Sequence, residues 1–298
     1  MTTGRFAPTP SGDLHLGNLR TALLAWCFAR HAGGRFLMRV EDLTTGAEPR
    51  RVTEQMEDLA AIGIDHDPPV ISQSERSARY DEMIDRLTRA GLTYPCYCSR
   101  RDIRDAASAP HGPSIEGGYP GTCRGLSASA RAERRSHGRP PALRLRADDV
   151  HVEAADRLLG PIGGQVDDFV VRRADGVAAY NLAVVVDDAD QGVDQVVRGD
   201  DLVATTPRQV LLQHLLDLPT PAYVHVPLVL GPDGERLAKR HGAVTLRDQL
   251  ARGRSAAQVV GALAASCGLG SPGESLDAAT VLARFDPEVL DIVPTVPD

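Results

Sequence analysis

Apolar residues recur at helical spacing close to the start of the chain, directly behind a polar loop. The recurrence predicts an amphipathic helix of about three to four turns, and its apolar face consists of Leu16, Leu19, Leu23, Trp26 and Cys27. In front of this helix, Pro8 and Pro10 end a strand that begins near Arg5, and Ser11 with Gly12 supplies a turn. The pattern therefore predicts a strand, a tight loop and the start of a helix.

The loop brings His15 and Asn18 to the N-terminus of that helix. Backbone N–H groups at a helix start lack helical partners and carry a partial positive charge, so this position favours a phosphate group. Gly17 has no side chain and would let a flat ring approach the backbone closely. Taken alone, the four residues from His15 to Asn18 favour a capped helix that happens to contain a histidine over a functional site.

Apolar and polar residues alternate from Arg35 to Asp42, which predicts a second strand. Together with the first strand and the helix, it forms the strand-helix-strand unit of a parallel nucleotide-binding sheet. Ligands of such sheets bind beyond the carboxyl ends of the strands, where Glu41 and the segment from Arg5 to Thr9 would meet. Glu41 is either a solvated strand end or, in a cleft, a partner for a substrate ammonium group.

Further patterns extend this α/β arrangement along the chain. Two helices are expected, from Pro49 to Gly63 and from a capping Ser74 to Gly91. Beyond them we expect a helix at 127–137, strands at 142–146, 169–173 and 177–186, a helix at 208–216, a strand at 225–230 and short helices after 246. The strands at 169–173 and 177–186 would form a hairpin around a turn at 174–176.

The segment from Gly4 to Asn18 resembles the HIGH signature region of class I aminoacyl-tRNA synthetases, in the form used by the glutamyl branch. Three signature residues precede the core of the motif and four stand in its place: Pro8, Ser11 and Gly12, then His15, Leu16, Gly17 and Asn18. The resemblance implies that His15, Gly17 and Asn18 bind ATP and that His15 and Asn18 act in catalysis.

A loop late in the chain resembles the second class I signature, usually written KMSKS. It reads Arg236, Leu237, Ala238, Lys239, Arg240, so that an arginine replaces the first lysine and an alanine the first serine. The resemblance assigns ATP binding and catalysis to Lys239, which is the only lysine among the 33 basic residues of the chain. A solvated lysine without a special role is the alternative, and the use of arginine everywhere else argues against it.

Two later segments, 179–188 and 196–201, are similar to the glutamate-binding segments of the same family. The similarity implies that Tyr180 and Arg198 line an amino-acid pocket with Glu41 and the first-strand segment Arg5, Phe6, Ala7, Pro8 and Thr9. Arg198 or Arg5 would pair with the side-chain carboxylate, because a guanidinium fork bonds both of its oxygens at once. From the residues alone, Tyr180 could equally be a half-buried aromatic on a strand.

Cys96, Cys98 and Cys123 lie around a loop rich in proline and glycine. Their spacing favours a zinc site with thiolate ligands over free buried thiols, and it leaves His111, Tyr119 or a water as the fourth ligand. This segment looks like that of the glutamyl-queuosine tRNA(Asp) synthetases, a shortened relative of the glutamyl-tRNA synthetases. The resemblance implies one structural zinc ion held by the three cysteines and Tyr119.

Composition excludes several other classes of protein. Hydrophobic residues make up 42% and charged residues 24% of the 298 residues, as in ordinary soluble proteins. No run of eighteen apolar residues and no secretion signal occurs, so we expect a cytoplasmic protein that does not enter a membrane. Cys27 and Cys267 lie in apolar helical patterns and are expected in the core.

A net charge of −7 argues against a protein that coats nucleic acid along its length. Arginines nevertheless cluster in the middle third of the chain, either as a local basic groove or as solvated helix faces. They are Arg100, Arg101, Arg104, Arg131, Arg134, Arg135 and Arg139.

Together these features predict an α/β protein with a class I synthetase core of the Rossmann type. Residues 1–95 and 198–245 would form the two halves of the parallel nucleotide-binding core, the second half with the KMSKS-like loop. Residues 96–197 would form an inserted, zinc-containing α/β subdomain similar to an acceptor-binding one, and residues 246–298 a short helical C-terminal region. We expect no anticodon-binding domain, because little chain follows the second signature.

The resemblance also implies an activity. It is the ATP-dependent activation of L-glutamate to glutamyl-adenylate, with Mg²⁺ and without tRNA, followed by transfer to the queuosine base at the wobble position of tRNA(Asp). The RNA partner would be the anticodon stem-loop of that tRNA, and the enzyme would be a monomer. Two alternatives stay open, namely a truncated glutamyl-tRNA synthetase that charges a tRNA 3′ end and a non-catalytic paralogue that binds RNA.

Overall fold

In the part of the chain that the structure describes, the strands form two sheets. A computed structural model describes residues 1–99, 101–103, 118–136, 140–231, 233–235, 237, 241–242 and 244–296. The strands in this part of the chain are β1 (Thr3–Phe6), β2 (Arg35–Val40), β3 (Asp67–Ser72), β4 (Thr93–Cys96), β5 (Ala142–Leu145), β6 (Val150–Asp156), β7 (Gly160–Val166), β8 (Val170–Arg172), β9 (Gln195–Gly199) and β10 (Ala222–Val226). The helices are α1 (Leu16–His31), α2 (Pro49–Ala61), α3 (Ser77–Arg89), α4 (Ala128–Ser136), α5 (Tyr180–Asp190), α6 (Thr206–Leu215), α7 (Leu246–Ala251), α8 (Ala256–Ala265) and α9 (Ala278–Arg284).

The larger sheet has the strand order β3-β2-β1-β9-β10-β6-β7. Its strands run parallel except in the hairpin of β6 and β7 at one edge. The chain proceeds outward from β1 through β2 and β3 on one side, and β9 and β10 lie on the other side. The crevice beyond the carboxyl ends of β1 and β9 is therefore the point where the strand order reverses, which is where such sheets bind ligands. The predicted parallel nucleotide-binding core is confirmed.

Helices cover both faces of this sheet, so neighbouring residues of one strand enter different hydrophobic cores. Phe36 and Met38 of β2 pack with residues of α1, α8 and α9, whereas Leu37 packs with residues of α3, α5 and α6. Val197 and Val196 of β9 divide between the two cores in the same way. This arrangement is typical of parallel sheets, which are buried on both faces.

The predicted strand at 177–186 is wrong, because this segment forms the helix α5. Three consecutive valines, residues 184–186, favour a strand by their intrinsic preference. The fold overrides that preference, since every residue from Leu182 to Asp188 is buried and the helix packs between α3 and α6. Of the predicted hairpin, β8, the turn at 174–176 and a short antiparallel pairing remain, in which Arg172 is bridged to Ala178 and the N–H of Ala179 donates to the carbonyl oxygen of Val171. Tyr180 is the first residue of a helix and not a strand aromatic.

Two smaller expectations also differ from the structure. Ser74 does not cap α3, since it lies in the 3₁₀ turn Gln73–Arg76 and its N–H and hydroxyl donate to the carboxylate of Asp42 at 2.8 and 2.6 Å. The strand expected at 225–230 is β10, which ends at Val226, because Pro227 has no N–H to continue a sheet ladder.

The smaller sheet has the order β4-β5-β8 and is antiparallel. The hairpin of β6 and β7 lies within the predicted insertion, residues 96–197, but it joins the larger sheet through β10. The four-segment division of the chain stays a prediction. None of the described helices is long and apolar enough to cross a membrane.

Several residues singled out in the sequence lie outside the described residues. They are Arg100, Arg104, His111, Arg139, Arg236, Ala238, Lys239 and Arg240.

Candidate active site

A cavity of about 550 Å³ lies in the crevice beyond the carboxyl ends of β1, β2 and β9. Its walls include every residue predicted for the amino-acid pocket, namely Arg5, Phe6, Ala7, Pro8, Thr9, Glu41, Tyr180 and Arg198. They also include Ser11, Gly12, His15, Gly17 and Asn18 of the first signature, while Leu16 is buried in the adjoining core. The structure thus brings the two predicted sites together at one cavity, and the roles of these residues remain predictions.

His15 and Asn18 hold each other in place at the start of α1. The N–H of Asn18 donates to Nδ1 of His15, and the N–H of His15 donates to Oδ1 of Asn18, both at 3.2 Å. This reciprocal pair is a capping box, with histidine in the place usually taken by serine or threonine. Because Nδ1 accepts a hydrogen bond, the neutral imidazole carries its proton on Nε2. The helix start therefore presents a fixed ring and oriented backbone N–H groups.

Gly17 is required by the position of the His15 ring. A Cβ atom at residue 17 would lie 3.0 Å from Cε1 and Nδ1 of His15 and 3.3 Å from Cβ of Val229. Any larger residue would push the ring or the neighbouring segment away. The close approach predicted at Gly17 thus involves the side chain of His15 itself.

The loop in front of α1 is tied to α2 by Gln55. Its Nε2 donates to the carbonyl oxygens of Thr9 at 3.1 Å and Gly12 at 2.8 Å, and its side chain lines the cavity. A buried glutamine that satisfies two loop carbonyls fixes the path of the backbone between β1 and α1. Gln55 was not predicted from the sequence, because a single glutamine in an amphipathic helix gives no signal of its own.

Arg5 and Arg39 share the carboxylate of Asp188 behind the cavity. Nε of Arg5 lies 3.1 Å and Nη1 of Arg39 lies 2.7 Å from Oδ1 of Asp188, and Arg39 also donates to Oε1 of Glu41 at 3.2 Å. Burial opposes ionisation of Asp188, but the two guanidinium groups outweigh it and hold its pKa below the usual value. Burial raises the pKa of Glu41, and the positive charge of Arg39 offsets only part of this rise. These ion pairs orient Arg5 and Glu41 toward the cavity.

Arg198 has a different set of partners, all of them neutral. Its Nε donates to Nε2 of His225 at 3.0 Å, Nη1 to Oε1 of Gln209 at 2.7 Å and Nη2 to Oγ1 of Thr206 at 2.8 Å. Within the described residues, no carboxylate lies within 4.0 Å of its nitrogens. Burial lowers the pKa of Arg198, since the charged form is the one that loses water. A guanidinium group of this strength nevertheless stays protonated at neutral pH.

The cavity is therefore suited to an anion beside Arg198. Three of the five N–H groups of Arg198 have protein acceptors, which leaves one on each terminal nitrogen. A buried cation without a counter-ion is costly, and a ligand carboxylate that reaches it removes this cost. An uncharged amide in the same place would not.

A second cavity of about 700 Å³ adjoins the first. Thr9, Glu41 and Tyr180 line both, so these three residues form a shared wall. The far side of the second cavity is made by the smaller sheet and the cysteine segment, including Cys96 and Arg144. Tyr180 is 40% exposed at this boundary, and its hydroxyl is a neutral phenol at pH 7, as tyrosine normally is.

Three cysteines and a tyrosine converge beside the smaller sheet. The Sγ atoms of Cys96, Cys98 and Cys123 all lie within 4.8 Å of one another. The hydroxyl of Tyr119 lies 3.4 Å from Sγ of Cys96 and 3.9 Å from Sγ of Cys98. The guanidinium group of Arg144 stacks 3.7 Å above the tyrosine ring. The residues predicted from resemblance as ligands are thus brought together by the fold, whereas Cys27 and Cys267 are buried in the larger core, as expected.

The second signature begins next to the first cavity. The N–H of Leu237 donates to the carbonyl oxygen of Val229 at 2.9 Å, and Val229 lines the cavity. Closer to the end of this loop, Nε2 of His241 lies 2.9 Å from Oδ2 of Asp233. Leu237 of the signature is thus anchored to a residue that lines the first cavity.

Comparisons with known proteins agree with this geometry. A family description for the catalytic domain of class I tRNA synthetases (E and Q) matches residues 1–261. The chain is 60% identical over 293 residues to a glutamyl-Q tRNA(Asp) synthetase of Nocardia farcinica, covering 98% of this chain and 92% of that protein. A protein of the same name from Symbiobacterium thermophilum is 50% identical over 299 residues, covering 96% and 93% of the two chains.

A crystal structure of a glutamate tRNA ligase from Elizabethkingia meningosepticum, in complex with its amino acid, has a similar fold. The TM-score is 0.82 at 24% sequence identity, and the match covers 98% of this chain and 66% of that chain. The chain thus spans about two thirds of the length of this structural relative.

Proposed function

The chain belongs to the class I tRNA synthetases of the glutamate and glutamine branch, and we propose that it activates L-glutamate and transfers it to queuosine in tRNA(Asp). Membership makes it a ligase that uses ATP with Mg²⁺. The finer assignment is supported by the name shared by relatives that are 60% and 50% identical over more than nine tenths of their length. We place the reaction in the cytoplasm, where free thiols persist, and expect the protein to act as a monomer.

The observation that carries the choice of glutamate is that Arg198 donates hydrogen bonds to three neutral side chains and forms no ion pair within the described residues. The side-chain carboxylate of glutamate would accept the remaining hydrogen bonds of Arg198, with Arg5 beside it. Glu41 would bind the α-ammonium group. Glutamine would leave Arg198 without a counter-ion inside the protein. The difference in binding free energy between glutamate and glutamine should therefore exceed the contribution of one hydrogen bond. Tyr180 would close the pocket from the side of the second cavity.

Activation requires no covalent intermediate with the protein. The α-carboxylate of glutamate attacks the α-phosphorus of ATP, an oxygen–phosphorus bond forms, and the bond to the departing pyrophosphate breaks. His15, Asn18 and the N–H groups at the start of α1 would bind the developing negative charge, with Lys239 from the second signature. Such catalysis depends on positioning and on fixed positive groups. The Mg²⁺ ion that accompanies ATP neutralises part of the phosphate charge.

Transfer would use the second cavity. A hydroxyl group of the acceptor attacks the carbonyl carbon of the adenylate, an ester forms and AMP leaves. An acceptor in the second cavity would reach this carbon across the wall of Thr9, Glu41 and Tyr180. Helix α4 has no buried residues and carries Arg131, Arg134 and Arg135, which suit contacts with phosphates of the RNA.

The assignment of the acceptor is tested with radiolabelled glutamate and two forms of tRNA(Asp). We expect the form that contains queuosine, and a queuosine-containing anticodon stem-loop, to accept glutamate, and the form that lacks queuosine to stay unlabelled. Glutamate-dependent pyrophosphate exchange without tRNA serves as the control for active protein. Label on the 3′-terminal adenosine alone would replace this assignment by a truncated glutamyl-tRNA synthetase. Absence of exchange under all conditions would favour the non-catalytic paralogue.

The cysteine cluster fits one structural zinc ion. Tetrahedral thiolate ligands at about 2.3 Å from zinc place their sulfur atoms about 3.8 Å apart, and Sγ of Cys98 and Cys123 lie 3.5 Å apart. We propose that Cys96, Cys98, Cys123 and Tyr119 hold the ion. Its role would be to order the segment that connects β4 with α4.

Purified protein is expected to contain about one zinc ion per chain. Cys98→Ser should lower the zinc content well below this value, because one thiolate is lost from four ligands. Cys267→Ala is the matched control, since this buried cysteine lies outside the cluster. Elemental analysis measures the metal. A metal-free protein after expression in zinc-replete medium, or equal loss in both variants, would contradict the proposal.

A further inference from the structure

We infer that His225 and Asp156 are positioning residues that aim the guanidinium group of Arg198 and keep its surroundings neutral. The inference rests on the proposed binding of glutamate at Arg198. Neither residue lines either cavity, so neither would touch the substrate. They would act on specificity through the hydrogen bond from Arg198 to His225.

Asp156 anchors His225 from the end of β6. Its Oδ2 accepts hydrogen bonds from the backbone N–H of His225 at 2.8 Å and from Nδ1 of the same residue at 2.7 Å. Its Oδ1 accepts the N–H groups of Leu158 and Leu159, both at 2.9 Å. Four hydrogen bonds thus fix this carboxylate, which is 4% exposed, and the His225 ring is fully buried.

The tautomer of His225 follows from the chemistry of its neighbours. Arg198 can only donate hydrogen bonds, so Nε2 of His225 must accept the one from Nε of Arg198. The proton of the neutral ring is then on Nδ1, where the carboxylate of Asp156 accepts it. A proton on Nε2 would set two N–H groups against each other at 3.0 Å. Burial, together with Arg198, lowers the pKa of His225 and keeps the ring neutral.

The imidazole ring of His225 lies between the negative charge of Asp156 and the guanidinium group of Arg198. A carboxylate in direct contact would hold Arg198 equally well but would neutralise it, as Asp188 does for Arg5. Through His225, the acid orients the ring and the ring orients the guanidinium group. The cation thus keeps a fixed direction and an unsatisfied charge for the carboxylate of the ligand.

Two substitutions at residue 225 distinguish positioning from general packing. His225→Asn keeps a donor near the position of Nδ1, but its shorter side chain places no acceptor at the position of Nε2. His225→Gln brings an amide oxygen near that position. We expect His225→Asn to raise the KM for glutamate by roughly ten- to a hundredfold, the effect of losing one hydrogen bond to a charged group. His225→Gln should recover part of this loss. In both variants kcat and the KM for ATP should stay within about threefold, because the lost interaction acts on the bound and reacting states alike.

Pyrophosphate exchange at varied glutamate and ATP concentrations measures these constants. His151→Asn is the matched control, because this histidine is exposed on the same strand as Asp156 and should leave both constants unchanged. Equal increases in both KM values, or an unchanged KM for glutamate in His225→Asn, would overturn the inference.

The tautomer is measured independently of activity. In protein labelled with ¹⁵N-histidine, we expect the signal that is lost in His225→Gln to show a protonated Nδ1 and an unprotonated Nε2. Asp156→Asn should weaken this preference, because an amide can offer a hydrogen atom to Nδ1. A protonated Nε2 at His225 in the unaltered protein would overturn the inference whatever the kinetic constants of the variants. A wild-type protein with this tautomer that fails to activate glutamate would instead contradict the proposed function.

Discussion

Lys239→Ala is expected to slow glutamate-dependent pyrophosphate exchange by roughly a hundred- to a thousandfold, the scale of losing one well-placed group that stabilises a transition state. The lysine is a compact cation in a chain that otherwise uses arginine, and the resemblance of its loop to the second class I signature assigns it to the phosphates. Its contribution grows as charge develops on the departing pyrophosphate. The decrease should therefore occur in kcat, with little change in the KM for glutamate.

Lys239→Arg and Arg50→Ala complete this test. Arginine keeps the charge but spreads it over a rigid fork, so Lys239→Arg should retain only part of the activity. Arg50 pairs with Glu48 on the surface, at 66% side-chain exposure, and its removal should leave exchange unchanged. Near-normal turnover of Lys239→Ala would remove the lysine from the mechanism.

Asp188→Asn is expected to lower the free energy of unfolding by about 3–5 kcal/mol, the usual cost of removing one partner from a buried ion pair. Asp188 is 4% exposed and serves both Arg5 and Arg39, so the substitution leaves two buried cations with less compensation. The denaturation midpoint in urea measures the change.

Asp190→Asn is the control for this effect, because it makes the same chemical change on the same helix. Asp190 pairs with Arg76 and Arg79 at 25% side-chain exposure, where ion pairs contribute only about 0–1 kcal/mol. Similar losses in the two variants would show that burial of the pair is not the cause.

The sequence predicted the parts of the site that are close together in the chain. The strand, loop and helix around His15 were predicted correctly, because their signals are local: prolines, a turn and helical periodicity. The cluster of Cys96, Cys98 and Cys123 was visible for the same reason. In each case, the residues that meet in space come from one continuous stretch of the chain.

Contacts between distant segments were not predictable in this way. Arg39 looked like the polar partner in an alternating strand, yet it is fully buried because helices cover both faces of the sheet. Its partner Asp188 lies 149 residues further along the chain, and the expected strand at 177–186 gave no reason to place it there. The sequence did contain one signal, the acidic pair Asp187 and Asp188 directly after the apolar run 182–186. Acids that are buried with such a run require buried cationic or hydrogen-bonding partners elsewhere in the chain.

The two adjoining cavities draw their walls from different parts of the chain. The strand ends of the larger sheet supply Arg5 and Arg198 to the first cavity, while the smaller sheet and the cysteine segment shape the far side of the second. Substitutions in the smaller sheet can thus alter what enters the second cavity without displacing either arginine. Among the described residues, the wall of Thr9, Glu41 and Tyr180 is the part that lines both cavities and would transmit a change to both. An architecture of this kind can evolve, or be engineered, toward new acceptors while its choice of amino acid is inherited unchanged.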